Sequence, residues 1–284
     1  MDNKAVYKAH ILAKAVPYMQ EYRDKVVVVK YGGNAMVNEK LMHNVIEDVC
    51  LMNLVGVRVV LVHGGGPHIS STLKKMQIES KFINGLRYTD EDTIEVVQEV
   101  LAGKVNKDLV KRIHKHGEKA VGICGIDNFL LETEKVNDEL GYVGKITEVH
   151  PELLVDLLEK NYIPVVASVG MDEDGHSYNI NADLAAASVA KSLGAANLLF
   201  ISDIPGLLRD KDDEESLISS LTVEEVEELK ADGTIAGGMI PKVDAITEAI
   251  NEGVERAVIV DGRIPHSILV ELFTAEGIGT MFTK

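Results

Sequence analysis

Apolar residues along the chain fall into two alternating patterns. Short β-branched runs end in glycine-rich exits: Val26–Lys30 before Gly32-Gly33, Val57–Val62 before Gly64-Gly65-Gly66, and Ala120–Ile123 before Gly125. Further along come Ile163–Ala167 before Gly170, Leu198–Ser202 before Pro205-Gly206, and Ala257–Val260 before Gly262. Runs that are apolar on both faces suit parallel strands covered by helices on each side. Between them lie helical periodicities, such as Thr89 followed by Ile94, Val97, Val100, Leu101 and Val105, with Thr89 and Asp92 spaced as a capping box. The alternation predicts a doubly wound α/β sheet, with ligands at the carboxyl ends of its strands.

Three segments break the pattern. Phe129–Lys135, a turn at Asn137-Asp138 and Gly141–Ile146 predict an antiparallel ribbon, to which Ser177–Ile180 adds. The acidic stretch Asp210–Glu215 reads as a solvated loop, because adjacent like charges repel. Residues 1–22 form a separate arm. Val6, Ala9, Leu12, Ala13 and Val16 share one helical face, and Pro17 is expected to kink or restart the helix. The arm reads either as a cover over its own core or as a helix packing on another subunit. With a boundary near residues 175–180, the body divides into lobes 23–178 and 179–284.

A length of 284 residues allows one large or two modest domains. Lys+Arg 29 against Asp+Glu 45 gives a net charge of −16, which repels nucleic acid and anionic lipid. An anionic ligand therefore requires a local cluster of Lys, Arg and backbone N–H groups. Cys50 and Cys124 lie in apolar contexts without CxxC or Cys/His spacing and read as buried thiols in a reducing compartment. Asp183, Lys191 and Asp203 interrupt the richest apolar stretch, so no run approaches the ~18–20 residues of a membrane span. Residues 1–22 also lack the pattern of a secretory signal, and the expected location is the cytoplasm.

The candidate chemistry sits at the strand exits. Lys30-Tyr31-Gly32-Gly33-Asn34 offers a cation and glycines that let the backbone approach a phosphate; the plain alternative is a tight turn with a solvated lysine. His63-Gly64-Gly65-Gly66-Pro67 has more glycine than a turn needs and suits an oxyanion nest at a helix start. An esterase oxyanion hole is the rival reading, but no GxSxG elbow accompanies it. Arg87 in Asn84-Gly85-Leu86-Arg87 is either a carboxylate clamp or a surface residue. Asn179, Asn181 and Asp183 crowd a helix start that needs only one cap. Gly237-Gly238 precedes a helix with Lys242 in its first turns, where the helix dipole disfavours a cation unless an anion joins it. Walker A and metal-ligand spacings such as HExxH are absent.

Taken in order, KYGGNAM, VHGGGP, INGLRYTD, NINADLAAA, ISDIPGLL and GGMIPKV resemble the amino-acid kinase superfamily and, within it, the N-acetylglutamate kinases of arginine biosynthesis. The resemblance runs from about residue 6 to the C-terminus. It implies a three-layer α/β/α sandwich around a mainly parallel open sheet, with an acyl amino acid lobe and an ATP lobe. Lys30 and Lys242 are then the cations that neutralise the transferring phosphoryl group, and Asp183 orients both. Gly33 and Gly65 offer it backbone N–H groups. Gly65, Gly66, Arg87 and Asn179 hold N-acetyl-L-glutamate. Gly32, Gly33, Ser202, Asp203, Gly206, Leu207 and Gly237 line the nucleotide, which is ATP with Mg²⁺. The arm, together with His266, Glu271 and Gly277, resembles the arginine-inhibited members, and implies a homohexamer built as a trimer of dimers.

Same-fold kinases act on carbamate, aspartate, glutamate, UMP or N-acetylaminoadipate, and INGLR fits the acetylglutamate enzymes best. A non-catalytic amino-acid sensor is the reading from another class, disfavoured by the presence of both lysines and Asp183. A dinucleotide-binding hydride transferase lacks its GxGxxG.

Overall fold

The computed structural model describes residues 3–33, 36 and 38–284, so residues 1 and 2 of the arm and Asn34, Ala35 and Val37 of the first loop lie outside the described residues. In chain order, the N-terminal half carries α1 (Asn3–Tyr22), β1 (Val26–Tyr31), α2 (Glu39–Leu54), β2 (Arg58–His63), α3 (Gly66–Met76), β3 (Phe82–Ile83), β4 (Leu86–Arg87), α4 (Glu91–Gln98), a π-helical stretch (Glu99–Val105) and α5 (Asn106–Lys115). There follow β5 (Ala120–Cys124), β6 (Leu131–Lys135), β7 (Val143–Val149), α6 (Glu152–Glu159), β8 (Ile163–Ala167), β9 (Val169–Met171), β10 (Ser177–Ile180) and α7 (Ala182–Ser192). The C-terminal part adds β11 (Asn197–Ser202), β12 (Ser220–Thr222), α8 (Val223–Ala231), α9 (Met239–Asn251), β13 (Ala257–Asp261), α10 (Ser267–Phe273) and β14 (Thr280–Thr283).

All six apolar runs are strands of one eight-stranded sheet in the order β12-β14-β13-β11-β1-β2-β8-β5. The six strands from β13 to the β5 edge are parallel, and β14 enters antiparallel to β13. Alternate residues feed two cores. Val27, Val29, Val59 and Leu61 face one helical layer, while Val28, Val60, Val62 and Phe200 face the other. Each buried Val or Leu of this kind contributes ~1.5–3 kcal/mol relative to exposure, which is why strands with two apolar faces stay in the middle. The central β1 has β11 on one side and β2 on the other, so chain connections diverge at its carboxyl end and open a crevice there.

The ribbon is present with shifted ends. β6 and β7 pair antiparallel, with a register shift between Glu132 and Thr133, and β10 joins by pairing with β7 and β9. Phe129 lies in a short 3₁₀ turn before β6, and Asn137 Oδ1 accepts the Leu140 N–H in the connecting turn. The residue capping α4 is Asp90, which accepts the Thr93 N–H. Thr89 is unavailable for that role because its hydroxyl donates to Arg87 O and accepts the Asn179 amide.

Helix α1 runs unbroken through Pro17, so the expected restart does not occur. Its C-terminal end is anchored: Tyr22 is buried, its ring 6.3 Å from that of Phe273, and Glu21 pairs with Arg256 at 3.4 Å. Both cysteines are buried, and burial pushes the Cys50 thiol up to about 12 and the Cys124 thiol up to about 11. Among the described residues, no helix is long and apolar enough to cross a membrane.

Candidate active site

Two cavities open side by side at the carboxyl ends of the strands. The larger, about 490 Å³, is lined by the loops after β1 and β2, the β3–β4 hairpin and the start of α7. The smaller, about 350 Å³, lies toward β11 and α9. Lys30, Gly32 and Gly33 line both and form the seam. Lys30 is at the end of β1, and its ammonium folds over Gly32, where a Cβ would sit 2.9 Å from Nζ. Gly33 has φ +67°, a conformation that favours glycine.

Three charged side chains meet at this seam. Lys30 Nζ lies 2.7 Å from Asp183 Oδ1, and Lys242 Nζ lies 2.8 Å from Asp183 Oδ2. Asp183 is in the first turn of α7, which Asn181 caps by accepting the Asp183 and Leu184 N–H groups. Lys242 is in the first turns of α9, with its ammonium 5.0 Å from the Phe200 ring centroid. Burial pushes the Asp183 carboxyl up, but Lys30 and Lys242 together outweigh it and hold it below the usual carboxylate value. For Lys242 burial prevails over the attraction of Asp183, and its pKa is lowered. Two ammonium groups on one carboxylate leave a surplus positive charge where the cavities join.

Gly64, Gly65 and Gly66 follow β2, and Gly65 is the N-cap position of α3. A Cβ on Gly65 would sit 2.7 Å from Leu101 Cδ2, so a side chain there would have to displace the buried Leu101 of the π-helical stretch. Arg87 is buried across the larger cavity, 4.7 Å above the Phe82 ring. Its guanidinium donates to Ser80 Oγ, to Ser70 Oγ at 2.8 Å and to Gly66 O at 3.1 Å. Burial lowers its pKa, and no carboxylate pairs with it among the described residues. Asn179 lines the same cavity and donates to Thr89 Oγ1 at 3.2 Å.

Ser202 and Asp203 line the smaller cavity, together with Gly238 and Met239. Gly206, Leu207 and Gly237 are not on its wall. Leu207 is buried and its N–H donates to Thr280 Oγ1, while a Cβ on Gly206 would sit 2.5 Å from the same oxygen. Gly237, at φ +56°, forms the turn into α9. Glu271 and Gly277 come together: Glu271 Oε2 accepts the Ile278 and Gly279 N–H groups, and lies 3.3 Å from where a Gly277 Cβ would be. His266 points elsewhere, to Asp48 Oδ1 at 2.7 Å. Sequence reasoning did not single out Ser70, Ser80 or Phe82 around Arg87, nor the buried His63 and Asn106 beneath the glycine loop. Of these only His63 carried a signal, as the residue heading the triple glycine.

An open sheet with two adjoining cavities and a lysine–aspartate–lysine bridge between them is the frame of a phosphoryl transferase. Residues 25–261 match the amino acid kinase family, and the chain belongs to it. Over almost its full length it falls with the acetylglutamate kinases of that family. It is 52% identical to acetylglutamate kinase of Clostridioides difficile over 280 residues, covering 98% of each chain. With the enzyme of that name from Brachyspira hyodysenteriae the identity is 53% over 279 residues, covering 98% of this chain and 97% of the relative. Among solved structures, N-acetylglutamate synthase of Neisseria gonorrhoeae, complexed with coenzyme A and N-acetyl-glutamate, superimposes with a TM-score of 0.86 at 25% identity; the match covers 97% of this chain and 63% of that one. Carbamate kinase of Giardia lamblia bound to AMP-PNP shares the fold, with a TM-score of 0.65 at 18% identity over 92% of this chain and 98% of that one.

Proposed function

We infer that the protein transfers the γ-phosphoryl group of ATP to the side-chain carboxylate of N-acetyl-L-glutamate, giving N-acetyl-L-glutamyl 5-phosphate for arginine biosynthesis in the cytoplasm. The observation that carries this reading is the pairing of Lys30 and Lys242 with Asp183 at the seam of the two cavities. Relatives that share half the sequence bear the name acetylglutamate kinase, which supports the choice of acceptor.

The acceptor carboxylate has a pKa near ~4.3 and is ionised at neutral pH, so no general base is needed. Its oxygen attacks the γ-phosphorus, the bond to the bridging oxygen breaks, and ADP leaves with the electron pair. The difficulty is repulsion between two anions, and the remedy is alignment and positive charge. Lys30 and Lys242 supply the charge, with Asp183 holding both in register. Gly33 and Gly65 present N–H groups to the phosphoryl oxygens. Gly66, Arg87 and Asn179 hold the acyl amino acid, Arg87 taking its carboxylate as a fork.

The nucleotide occupies the smaller cavity, across Ser202, Asp203 and Gly238. Both oxygens of Asp183 are engaged by lysines, and Asp203 is the carboxylate on the wall of that cavity. This donor set fits an Mg²⁺ carried largely by phosphate oxygens and water, where it would withdraw charge from the phosphates. In this reading residues 23–178 form the acyl amino acid lobe and residues 179–284 the ATP lobe.

The same reading assigns the arm of residues 1–22 to assembly, as a trimer of dimers, and residues 266–280 to arginine inhibition. Val6, Tyr7, Ile11, Leu12 and Val16 are 45–66% exposed on α1, apolar surface that a neighbouring subunit would cover.

The test of the activity is acyl-phosphate formation with ATP, trapped by hydroxylamine, using N-acetylglutamate, N-acetylaspartate, glutamate and N-acetylaminoadipate as acceptors. N-acetylglutamate is expected to give the highest kcat/KM. Preference for N-acetylaminoadipate, or no trapped product from any acceptor, refutes the reading.

A further inference from the structure

The glycine loop is held from beneath by two side chains that line neither cavity. His63 ends β2 and Asn106 begins α5, and both are fully buried. Asn106 Nδ2 lies 2.8 Å from Val165 O and 3.1 Å from Ile123 O. Carbonyl oxygens only accept, so the group facing them is the amide NH₂, and Oδ1 is turned to Lys107 Nζ at 3.0 Å. The third neighbour of that NH₂ is His63 Nε2, at 3.1 Å. The amide nitrogen shares its two hydrogens among three acceptors and cannot itself accept, so a ring nitrogen facing it carries no proton. The ring proton is left on Nδ1, 2.9 Å from Gly64 O, which again only accepts. Counting donors and acceptors thus fixes one tautomer.

The ring stays neutral in that tautomer. Burial pushes the His63 pKa down to about 4; the bond to Gly64 O opposes this, and the nearby Lys107 and His68 add to it. The consequence falls on the loop. In a trans peptide the C=O and the following N–H point in opposite directions, so drawing Gly64 O down to His63 turns the Gly65 N–H outward. Gly65 lines the larger cavity, and its N–H has no protein acceptor among the described residues. The reach of Asn106 has its own cause. It is the first residue after the π-helical stretch Glu99–Val105, which shifts the register of the helix that follows. Opposite it stands Gly122, where a Cβ would sit 1.9 Å from Asn106 Oδ1.

We propose that Asn106 and His63 are positioning residues for phosphoryl transfer: Asn106 fixes the Nδ1–H tautomer of His63, and His63 holds the Gly64–Gly65 peptide with its N–H aimed at the transferring phosphoryl group. The role in transfer rests on the function inferred above, whereas the tautomer does not.

Two measurements on the full chain test it. Nitrogen-15 NMR of the imidazole is expected to show His63 protonated at Nδ1 and bare at Nε2, unchanged between about pH 5.5 and 8.5. A proton on Nε2 overturns the proposal, whatever the enzyme phosphorylates. In kinetics, His63→Leu removes the donor, while His63→Asn keeps an amide NH₂ near the position of Nδ1. His63→Leu is expected to lower kcat roughly 10–100-fold with the KM for ATP within about twofold, and His63→Asn to recover kcat to within about fivefold of wild type. Asn106→Ala, offered in case the leucine variant does not fold, is expected to lower kcat about 5–20-fold and to move the proton off Nδ1 in part of the population. Equal kcat in the His63→Leu and His63→Asn variants overturns it, as does a lower melting temperature with unchanged kcat in either His63→Leu or Asn106→Ala. A folded wild type that phosphorylates no acceptor removes the inferred function, and the NMR result then decides the tautomer separately.

Discussion

Lys242 Nζ stands 2.8 Å from Asp183 Oδ2 although 59 residues separate them, because the first turns of α7 and α9 meet at the end of the central sheet. The contact sets a cation where a helix dipole alone would repel it. In the proposed mechanism truncation therefore removes charge from the transition state, and it leaves Asp183 with one partner. Lys242→Ala and Lys30→Ala are each expected to lower kcat by roughly 10²–10³-fold while changing substrate KM much less. Lys30→Arg is not expected to rescue, since a planar fork does not replace a compact ammonium folded over Gly32. Steady-state kinetics decide this: kcat within about threefold of wild type in either Ala variant would exclude that lysine from the mechanism.

Arg87 gives the opposite pattern. It is buried, held by Ser70, Ser80 and Gly66 O, and paired with no carboxylate among the described residues, so its charge is left for a ligand. In the proposed mechanism a carboxylate bound there is remote from the reacting oxygen and is held alike in ground and transition states. Arg87→Ala is expected to raise the KM for N-acetylglutamate roughly 10–100-fold with little change in the KM for ATP. If the ATP KM rises instead, Arg87 belongs to the nucleotide side and the assignment of the two cavities is reversed.

The buried Asp48 makes stability depend on pH. Burial raises its pKa to about 6, against the lowering effect of His266, whose ring is 2.7 Å away. A carboxyl whose folded pKa is raised favours the fold fully below its unfolded pKa, near ~3.9, and loses that contribution as pH rises through the folded value. Between about pH 4 and 6 the folded state thus loses on the order of 3 kcal/mol from this group. Lowered carboxyls such as Asp183 act with the opposite sign, so the comparison must be with a variant. Urea unfolding across this range is expected to show wild type losing stability relative to Asp48→Asn as pH rises; parallel profiles would refute the raised pKa.

Much of the fold was legible because runs such as Val26–Lys30 and Ile163–Ala167 are apolar without alternation, and only a strand covered on both faces satisfies that. The site was legible where chemistry is local, in Lys30 beside Gly32-Gly33 or Asn181 capping the helix of Asp183. It was illegible where partners meet only in three dimensions. Asn106 and His63 are 43 residues apart, and nothing near Asn106 announces an amide buried among three strands. The π-helical stretch has the same apolar spacing as an α-helix. Short strands such as Ser220–Thr222 and Thr280–Thr283 exist because the sheet edge accepts them, with little local preference of their own. Pro17 misled for a related reason: one missing N–H is tolerated within a 20-residue helix whose last turn is anchored by Tyr22 and Glu21.

The arm yields the last prediction. At Glu21 and Tyr22 it is tied to the body, but Val6, Tyr7, Ile11, Leu12 and Val16 lie 45–66% exposed along the preceding turns. Five large apolar side chains on one projecting helix are a poor surface for a monomer and a good one for burial against another subunit. The anchored end packs on α10 through Tyr22 and Phe273, and α10 carries Glu271, whose Oε2 is engaged by the Ile278 and Gly279 N–H groups beside Gly277. A guanidinium reaching the other oxygen of Glu271 would thus bind next to the base of the arm, and in the proposed assembly a shift of α1 there would change how subunits sit together. Deleting residues 1–22 is expected to convert a hexamer into active dimers and to remove most of the inhibition by arginine. Light scattering and the hydroxylamine assay, with and without millimolar arginine, measure both. A truncated protein that stays hexameric would assign assembly to another surface, and a full-length enzyme indifferent to arginine would leave Glu271 and Gly277 as nothing more than a brace for the final turn.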